Sequence, residues 1–168
     1  MELFIVRHGI AQDRDDPSVR CDAERVLTPE GVKRTRQAAL GLKALGCRPQ
    51  RIATSPLPRA EQTARTMAEV LCPDIPVDVC EFLALTNGGE QESLAWLRGV
   101  KEGSVMLVGH MPDVADLASS LVSDGPAIDI VFKKAAVCCI SFDGTPRKAA
   151  GRLEWLLQPA QLRAIGER

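Results

Sequence analysis

Two histidines are the residues of this sequence best suited to do chemistry, and they are the only two it contains. His8 follows the apolar segment 3–6 and His110 follows the apolar segment 104–108, each next to a glycine. In open α/β sheets, ligands bind where the carboxyl ends of the strands meet. A lone histidine in a loop is usually structural, but two histidines at strand ends are expected to lie at the same edge of one sheet.

Two arginines accompany these histidines and offer donors for an anion. Arg7 directly precedes His8, and Arg59 opens a predicted helix that follows the short predicted strand 51–56. A guanidinium presents a fork of N–H donors that matches phosphate oxygens, and the free backbone N–H groups of a helix start also favour anions. An arginine in a first helical turn is more often a solvated charge. Beside an imidazole, it suits binding of an anion followed by a nucleophilic or acid–base step.

Alternating strands and helices are predicted to position these side chains. Apolar runs predict strands, and amphipathic runs with capping residues predict helices. The predicted strands cover residues 3–6, 51–56, 76–83, 104–108, 130–142 and 152–157. The predicted helices cover residues 29–45, 59–71, 92–100 and 114–122. This order indicates an α/β fold, a three-layer α/β/α sandwich with a mostly parallel sheet. The last two strands are too close for a helical crossover, so we expect an antiparallel hairpin at one edge.

Length and charge limit the class of protein. A chain of 168 residues fits a single domain over 1–168, for which we expect a monomer. A net charge of −1 and an aromatic content of 4%, with no Tyr, argue against a nucleic-acid partner. No apolar run is long enough for a signal peptide or a membrane span, so we expect a cytoplasmic protein without a membrane partner.

The six cysteines do not indicate a metal site or a thiol phosphatase. None form a C-x-x-C pair, and their spacings match no zinc site. A cysteine phosphatase needs an arginine six residues after its nucleophile, and no cysteine of this sequence has one. We expect small buried hydrophobic residues, with the adjacent Cys138 and Cys139 on opposite faces of a strand.

Four motifs in collinear order resemble the histidine phosphatase (phosphoglycerate mutase-like) superfamily. They are Arg7-His8-Gly9, Leu27-Thr28-x-x-Gly31, Ser55-Pro56-x-x-Arg59-Ala60-x-Gln62-Thr63-Ala64 and Val108-Gly109-His110-Met111-Pro112. The first motif alone is weakly specific, whereas the ordered set is highly specific. The short chain and the His8-Gly9-Ile10-Ala11 continuation look most like the SixA-type phosphohistidine phosphatases.

The resemblance implies a role for each of the matched residues. His8 would be the nucleophile that takes the phosphoryl group as a covalent phosphohistidine, which water then hydrolyses. Arg7, Arg59 and His110 would hold the phosphoryl oxygens, with the backbone N–H groups of Gly9 and Met111 as further donors. His8 must attack as a neutral imidazole, so we expect the arginines to lower its pKa and a backbone carbonyl to fix its tautomer. Neither a metal nor a cofactor is implied.

Three features near the predicted site have alternative interpretations. Glu81 matches the position of a proton donor in many relatives, and it could equally be a solvent-facing residue. A phosphohistidine leaves as imidazole, which needs less acid assistance than an alkoxide does. Arg14, Lys133 and Lys134 are either solvated charges or a cationic border that contacts or attracts an acidic phosphoprotein.

Three functions therefore remain open at this point. The first is a phosphatase that acts on phosphohistidine in a protein. The second is a phosphomonoesterase that acts on a small phosphorylated metabolite such as a sugar phosphate. The third is a module that binds phosphate without turnover, although such a module would need no nucleophilic histidine.

Overall fold

The computed structural model of the protein describes residues 1–84, 89–125 and 128–167. Within them, one sheet contains six strands: β1 (Glu2–Arg7), β2 (Arg51–Thr54), β3 (Val77–Val79), β4 (Ser104–Gly109), β5 (Val137–Ser141) and β6 (Arg152–Leu157). The described α-helices are α1 (Pro29–Ala44), α2 (Pro58–Leu71), α3 (Gly89–Gly99), α4 (Asp113–Val122) and α5 (Pro159–Gly166). None of these helices is long and apolar enough to cross a membrane.

The sheet has the strand order β3-β2-β4-β1-β5-β6. Strands β1 to β4 are parallel to one another, and β5 runs antiparallel to both of its neighbours, β1 and β6. The expected hairpin therefore forms one edge of the sheet, and the antiparallel strand itself lies one position inside that edge. The carboxyl ends of β1, β2 and β4 meet at one edge of the parallel part, as the sequence predicts.

Both faces of the sheet are covered, which completes the predicted three-layer sandwich. Side chains alternate along each strand, so Leu3 and Ile5 pack on the face covered by α3 and α4, whereas Phe4 and Val6 pack on the face covered by α1, α2 and α5. Cys138 and Cys139 obey the same alternation and enter opposite cores. Central strands buried on both faces explain the continuous apolar runs in the sequence.

Two predicted strands are shorter than the sequence indicated. The run 76–83 gives only the short strand β3 and then a 3₁₀ turn, Glu81–Leu83. The run 130–142 becomes a strand only at Val137, because the preceding segment bends at Ala135, whose φ is 68°. The apolar character of that segment has another cause, since Phe132 is buried in the core beside β1.

Helix α5 was not predicted from the sequence. Pro159 begins it, and the side chains and backbones of Gln158 and Gln161 cap each other at its start. Leu162 is fully buried, and α5 packs against α1. The two helices approach so closely that a Cβ on Gly41 would lie 2.0 Å from the Leu162 carbonyl oxygen. Only glycine fits that position.

Candidate active site

His8 lies at the end of β1, and its hydrogen bonds fix its tautomer. Its backbone N–H donates to the Gly109 carbonyl at the end of the neighbouring strand β4, at 3.0 Å. Its Nδ1 lies 2.8 Å from the Gly9 carbonyl oxygen, which can only accept, so Nδ1 carries the hydrogen. The neutral ring therefore keeps a lone pair on Nε2. This is the tautomer that nucleophilic attack requires.

His110 faces His8 because β1 and β4 are paired in register. Arg7 of β1 lies opposite Gly109 of β4, and the histidines that follow place their ring centroids 5.1 Å apart. The Nε2 atom of His110 lies 2.8 Å from the Ser55 hydroxyl, which follows β2. Three strand ends therefore contribute to one buried polar cluster. The sequence prediction that both histidines reach the same edge of the sheet agrees with this geometry.

Arg7 and Arg59 are held in the same manner. Nη1 of Arg7 donates to the Phe132 carbonyl at 2.7 Å, and Nη1 of Arg59 donates to the Asp22 carbonyl at 2.7 Å. The Nε atom of each guanidinium is buried and has no hydrogen-bond partner among the described residues. A buried N–H without an acceptor is costly. Each guanidinium is thus anchored through a terminal nitrogen and keeps its Nε donor available for an anion.

A short chain of hydrogen bonds ties Arg59 to the end of β1. The Thr63 hydroxyl donates to the Arg59 carbonyl at 2.6 Å and accepts from the Gly9 backbone N–H at 2.9 Å. A side chain at position 9 would not fit, because a Cβ there would lie 2.5 Å from the Thr35 hydroxyl oxygen. The Gly9 N–H, predicted as a phosphate donor, is therefore already bonded inside the protein in this structure.

Burial and nearby cations keep both imidazoles neutral. Burial, ahead of the charges of Arg59, Arg7 and Lys134, lowers the pKa of His8 to about 4. Burial, ahead of His8 and Arg59, lowers the pKa of His110 to about 3. The sequence predicted the effect of the arginines on His8, and the structure adds burial as the larger cause. At neutral pH the site pairs two uncharged rings with two cationic guanidiniums.

The remaining predicted site residues are more exposed than His8, His110 and Arg59. Arg14 is exposed and its Nε donates to the Asp22 carboxylate at 3.0 Å. It is therefore connected to Arg59 only through Asp22. Met111 is partly buried and packs against the core on the α4 side. Glu81 is exposed at the start of the 3₁₀ turn, whose following residues Phe82 and Leu83 line a small cavity beside His110.

The two lysines before β5, Lys133 and Lys134, differ in their exposure and in their effect on the site. Lys134 is close enough for its charge to lower the pKa of His8. Lys133 is exposed. Within the described part of the chain, no group of three or more His, Cys, Asp or Glu side chains is arranged to hold a metal ion.

Two residues near the site were missed in the sequence. Asp22 contacts Arg59 through its carbonyl and its carboxylate. Arg25 donates to the same carboxylate and to the Gln12 carbonyl, and its charge lowers the pKa of His110. Both lie in a polar, charge-dense segment whose sequence predicts an exposed loop. Only the contact of that segment with Arg59 at the start of α2, which the structure shows, distinguishes them from solvated charges.

Comparisons with known proteins agree with this arrangement. The family model of the histidine phosphatase superfamily (branch 1) matches residues 3–103. An uncharacterized protein of Picosynechococcus sp. is 37% identical over 140 residues, which cover 82% of each chain. The phosphohistidine phosphatase SixA of Escherichia coli is 29% identical over 168 residues, which cover 97% of each chain.

The fold agrees with the same group. A solved structure of the protein histidine phosphatase SixA complexed with tungstate superposes with a TM-score of 0.82 at 27% identity, over 96% of this chain and 99% of that one. The resemblance found in the sequence motifs is thus confirmed for the superfamily and for the likeness to SixA. This chain belongs to branch 1 of the histidine phosphatase superfamily and is a phosphatase.

Proposed function

We propose that this phosphatase removes phosphate from phosphohistidine in a protein, through a covalent intermediate on His8. The observation that carries the proposal is the state of His8, a buried neutral imidazole with Nδ1 bonded to the Gly9 carbonyl and Nε2 unprotonated. A non-catalytic phosphate binder needs the two guanidiniums but has no use for a nucleophile prepared in this way.

The proposed reaction has two steps. The Nε2 lone pair of His8 attacks phosphorus, and the bond from phosphorus to the substrate imidazole nitrogen breaks. Its electron pair stays on that nitrogen, which takes up a proton from solvent. Water then attacks the phosphorus of phospho-His8 and loses a proton to solvent. The bond from phosphorus to Nε2 of His8 breaks with its electron pair left on Nε2, which releases inorganic phosphate and the free neutral ring. In both steps Arg7, Arg59 and His110 stabilise the phosphoryl oxygens, because phosphoryl transfer depends mainly on positioning and charge.

Two observations support a protein substrate. The likeness to the phosphohistidine phosphatase SixA extends over 97% of the chain. Lys134 is close enough to His8 for its charge to lower the pKa of that ring. The preceding Lys133 is exposed, and Val131, two residues earlier in the sequence than Lys133, is 60% exposed. An exposed cationic and apolar border suits contact with an acidic phosphoprotein better than with a small metabolite.

The six cysteines are free thiols, as in the reducing cytoplasm that we propose as the compartment.

Phosphate release from three substrates tests the proposal. The substrates are a phosphohistidine protein, a phosphoserine peptide and a sugar phosphate, each incubated with the wild type and with His8→Ala. We expect rapid release from phosphohistidine that falls by at least about 10³-fold in His8→Ala. Faster release from the sugar phosphate would instead assign a small-molecule phosphomonoesterase. Binding of phosphate without release from any substrate would indicate a binding module.

A further inference from the structure

Asp22 lies at the centre of three guanidiniums. Its Oδ2 accepts from Nη2 of Arg59 at 3.0 Å, and its backbone carbonyl accepts from Nη1 of the same side chain at 2.7 Å. Its Oδ1 accepts from Nε of Arg25 and from Nε of Arg14, each at 3.0 Å. Asp22 is 37 residues from Arg59 in sequence, so these contacts attach the loop before α1 to the start of α2.

The two contacts to Arg59 determine which of its donors remain available. A guanidinium has five N–H groups in a rigid plane. Asp22 holds one hydrogen on each terminal nitrogen, and the buried Nε has no partner among the described residues. The edge formed by Nε and one terminal nitrogen is therefore unused. Such an edge can bind two oxygens of one phosphate.

Arg59 could not be placed in this way by its own helix alone. Its side chain is 2% exposed, and the described hydrogen bonds of its guanidinium all go to Asp22. The charge of Arg59 lowers the pKa of both His8 and His110, so the guanidinium lies near both rings. Without the carboxylate, this buried cation would lose its anionic partner and one of the two bonds that fix its plane.

We infer that Asp22 is a positioning residue, which holds the Arg59 guanidinium so that its Nε edge is presented to the phosphoryl group. The inference rests on the proposed role of Arg59 as a phosphate ligand. It requires no contact between Asp22 and the substrate. The opposing effect is repulsion between the carboxylate and phosphate, and three surrounding guanidiniums offset that repulsion.

Affinity for inorganic phosphate tests this role without relying on turnover. The variants are Asp22→Ala, which removes the carboxylate, and Asp22→Asn, which keeps an oxygen able to accept from Nη2. Asp15→Ala is the matched control, because it removes the same charge from an exposed position in the same loop. Phosphate and tungstate binding are measured by calorimetry, and thermal unfolding checks that each variant is folded.

Asp22→Ala should weaken phosphate binding by about 10-fold or more, as expected for loss of a charge-assisted hydrogen bond. Asp22→Asn should restore affinity to within about 3-fold of the wild type, and Asp15→Ala should match the wild type. Equal or tighter binding by Asp22→Ala would overturn the inference, because repulsion would then be the dominant effect. Equal losses of phosphate affinity in Asp22→Ala and Asp22→Asn would overturn the inference as well. They would show that the oxygen that accepts from Nη2 of Arg59 does not contribute to phosphate binding.

The outcome is separable from that of the proposed function. If the wild type binds phosphate but releases none from phosphohistidine, the proposed function fails and the comparison of Asp22 variants still stands. If the wild type is active and Asp22→Ala retains its affinity for phosphate and its KM, only the role of Asp22 fails.

Discussion

The floor and the border of the site are built differently. The floor consists of His8, His110 and Arg59, which are each at least nine-tenths buried and follow strands of the parallel part of the sheet. The border includes Arg14 and Glu81, which are exposed and lie on a loop and a 3₁₀ turn. Each floor residue has partners that fix its orientation, whereas the border side chains lie largely in water.

This difference indicates that the floor serves phosphoryl transfer and the border serves the choice of substrate. A phosphoryl group needs donors and a nucleophile held in fixed positions, and adjacent strand ends in a packed sheet provide them. Choice of substrate requires contacts outside the phosphoryl group, which exposed loops provide and can vary without disturbing the core. The floor should therefore be sensitive to small chemical changes and the border tolerant of them.

Among the differences between floor and border, the largest concerns the proton affinity of His8. Burial, followed by the neighbouring cations, lowers its pKa to about 4 from the ordinary value of 6.5, which is a decrease of roughly 300-fold in proton affinity. Two histidine signals are expected in NMR, and His8→Asn assigns one of them. The His8 ring should titrate near pH 4 in the folded protein and near 6.5 in urea. A folded-state midpoint near 6.5 would contradict a buried, neutral nucleophile.

The same shift has a consequence for stability. Between pH 6.5 and about 4, the unfolded chain binds a proton at His8 that the folded chain does not bind. The free energy of unfolding should therefore fall as the pH is lowered through this window. Urea unfolding of the wild type and of His8→Asn, at pH 7 and pH 5, measures the contribution of this ring.

The next effect is expected at Arg59. Arg59→Lys keeps the charge but loses the rigid fork and its two bonds to Asp22, so kcat/KM should fall roughly 10- to 100-fold. Arg65→Lys is the matched control, since it makes the same change on the same helix at a side chain that is 57% exposed. Equal effects of the two substitutions on kcat/KM would show that the floor needs only positive charge. The floor would then be no more sensitive to a small chemical change than an exposed position is.

The smallest effect is expected at Glu81 on the border. Glu81→Gln should change the rate on phosphohistidine by less than about 3-fold, because imidazole is a good leaving group, and should reduce the slower rate on phosphoserine by more. Glu92→Gln, at another exposed carboxylate, is the control. A loss of about 100-fold on phosphohistidine would place Glu81 among the floor residues as the proton donor.

Much of the floor could be predicted from the sequence because parallel strands bring their carboxyl ends together. Apolar runs locate β1 and β4, and the histidines follow those runs directly, so their meeting needs no knowledge of loop paths. The Thr28 cap was likewise predictable, and its hydroxyl accepts from the Gly31 N–H at 2.9 Å. Both are local signals.

Other features depend on contacts that no local pattern encodes. The pairing of Asp22 with Arg59 follows from the course of a polar loop, which in sequence resembles any solvated loop. The bend at Ala135 reflects bonds from its N–H to the Arg7 and His8 carbonyls, so an apolar run that looked like a strand instead supports the site. Tertiary contacts override strand propensity there.

Trapping of the phosphorylated enzyme tests the central claim most directly. The wild type and His8→Ala are mixed with ³²P-labelled phosphohistidine protein, quenched within milliseconds in alkali, and digested with trypsin. We expect label on residues 8–14 of the wild type and none on His8→Ala. Phosphate release without label on this peptide, or label on the peptide 102–133 that contains His110, would contradict a covalent intermediate on His8.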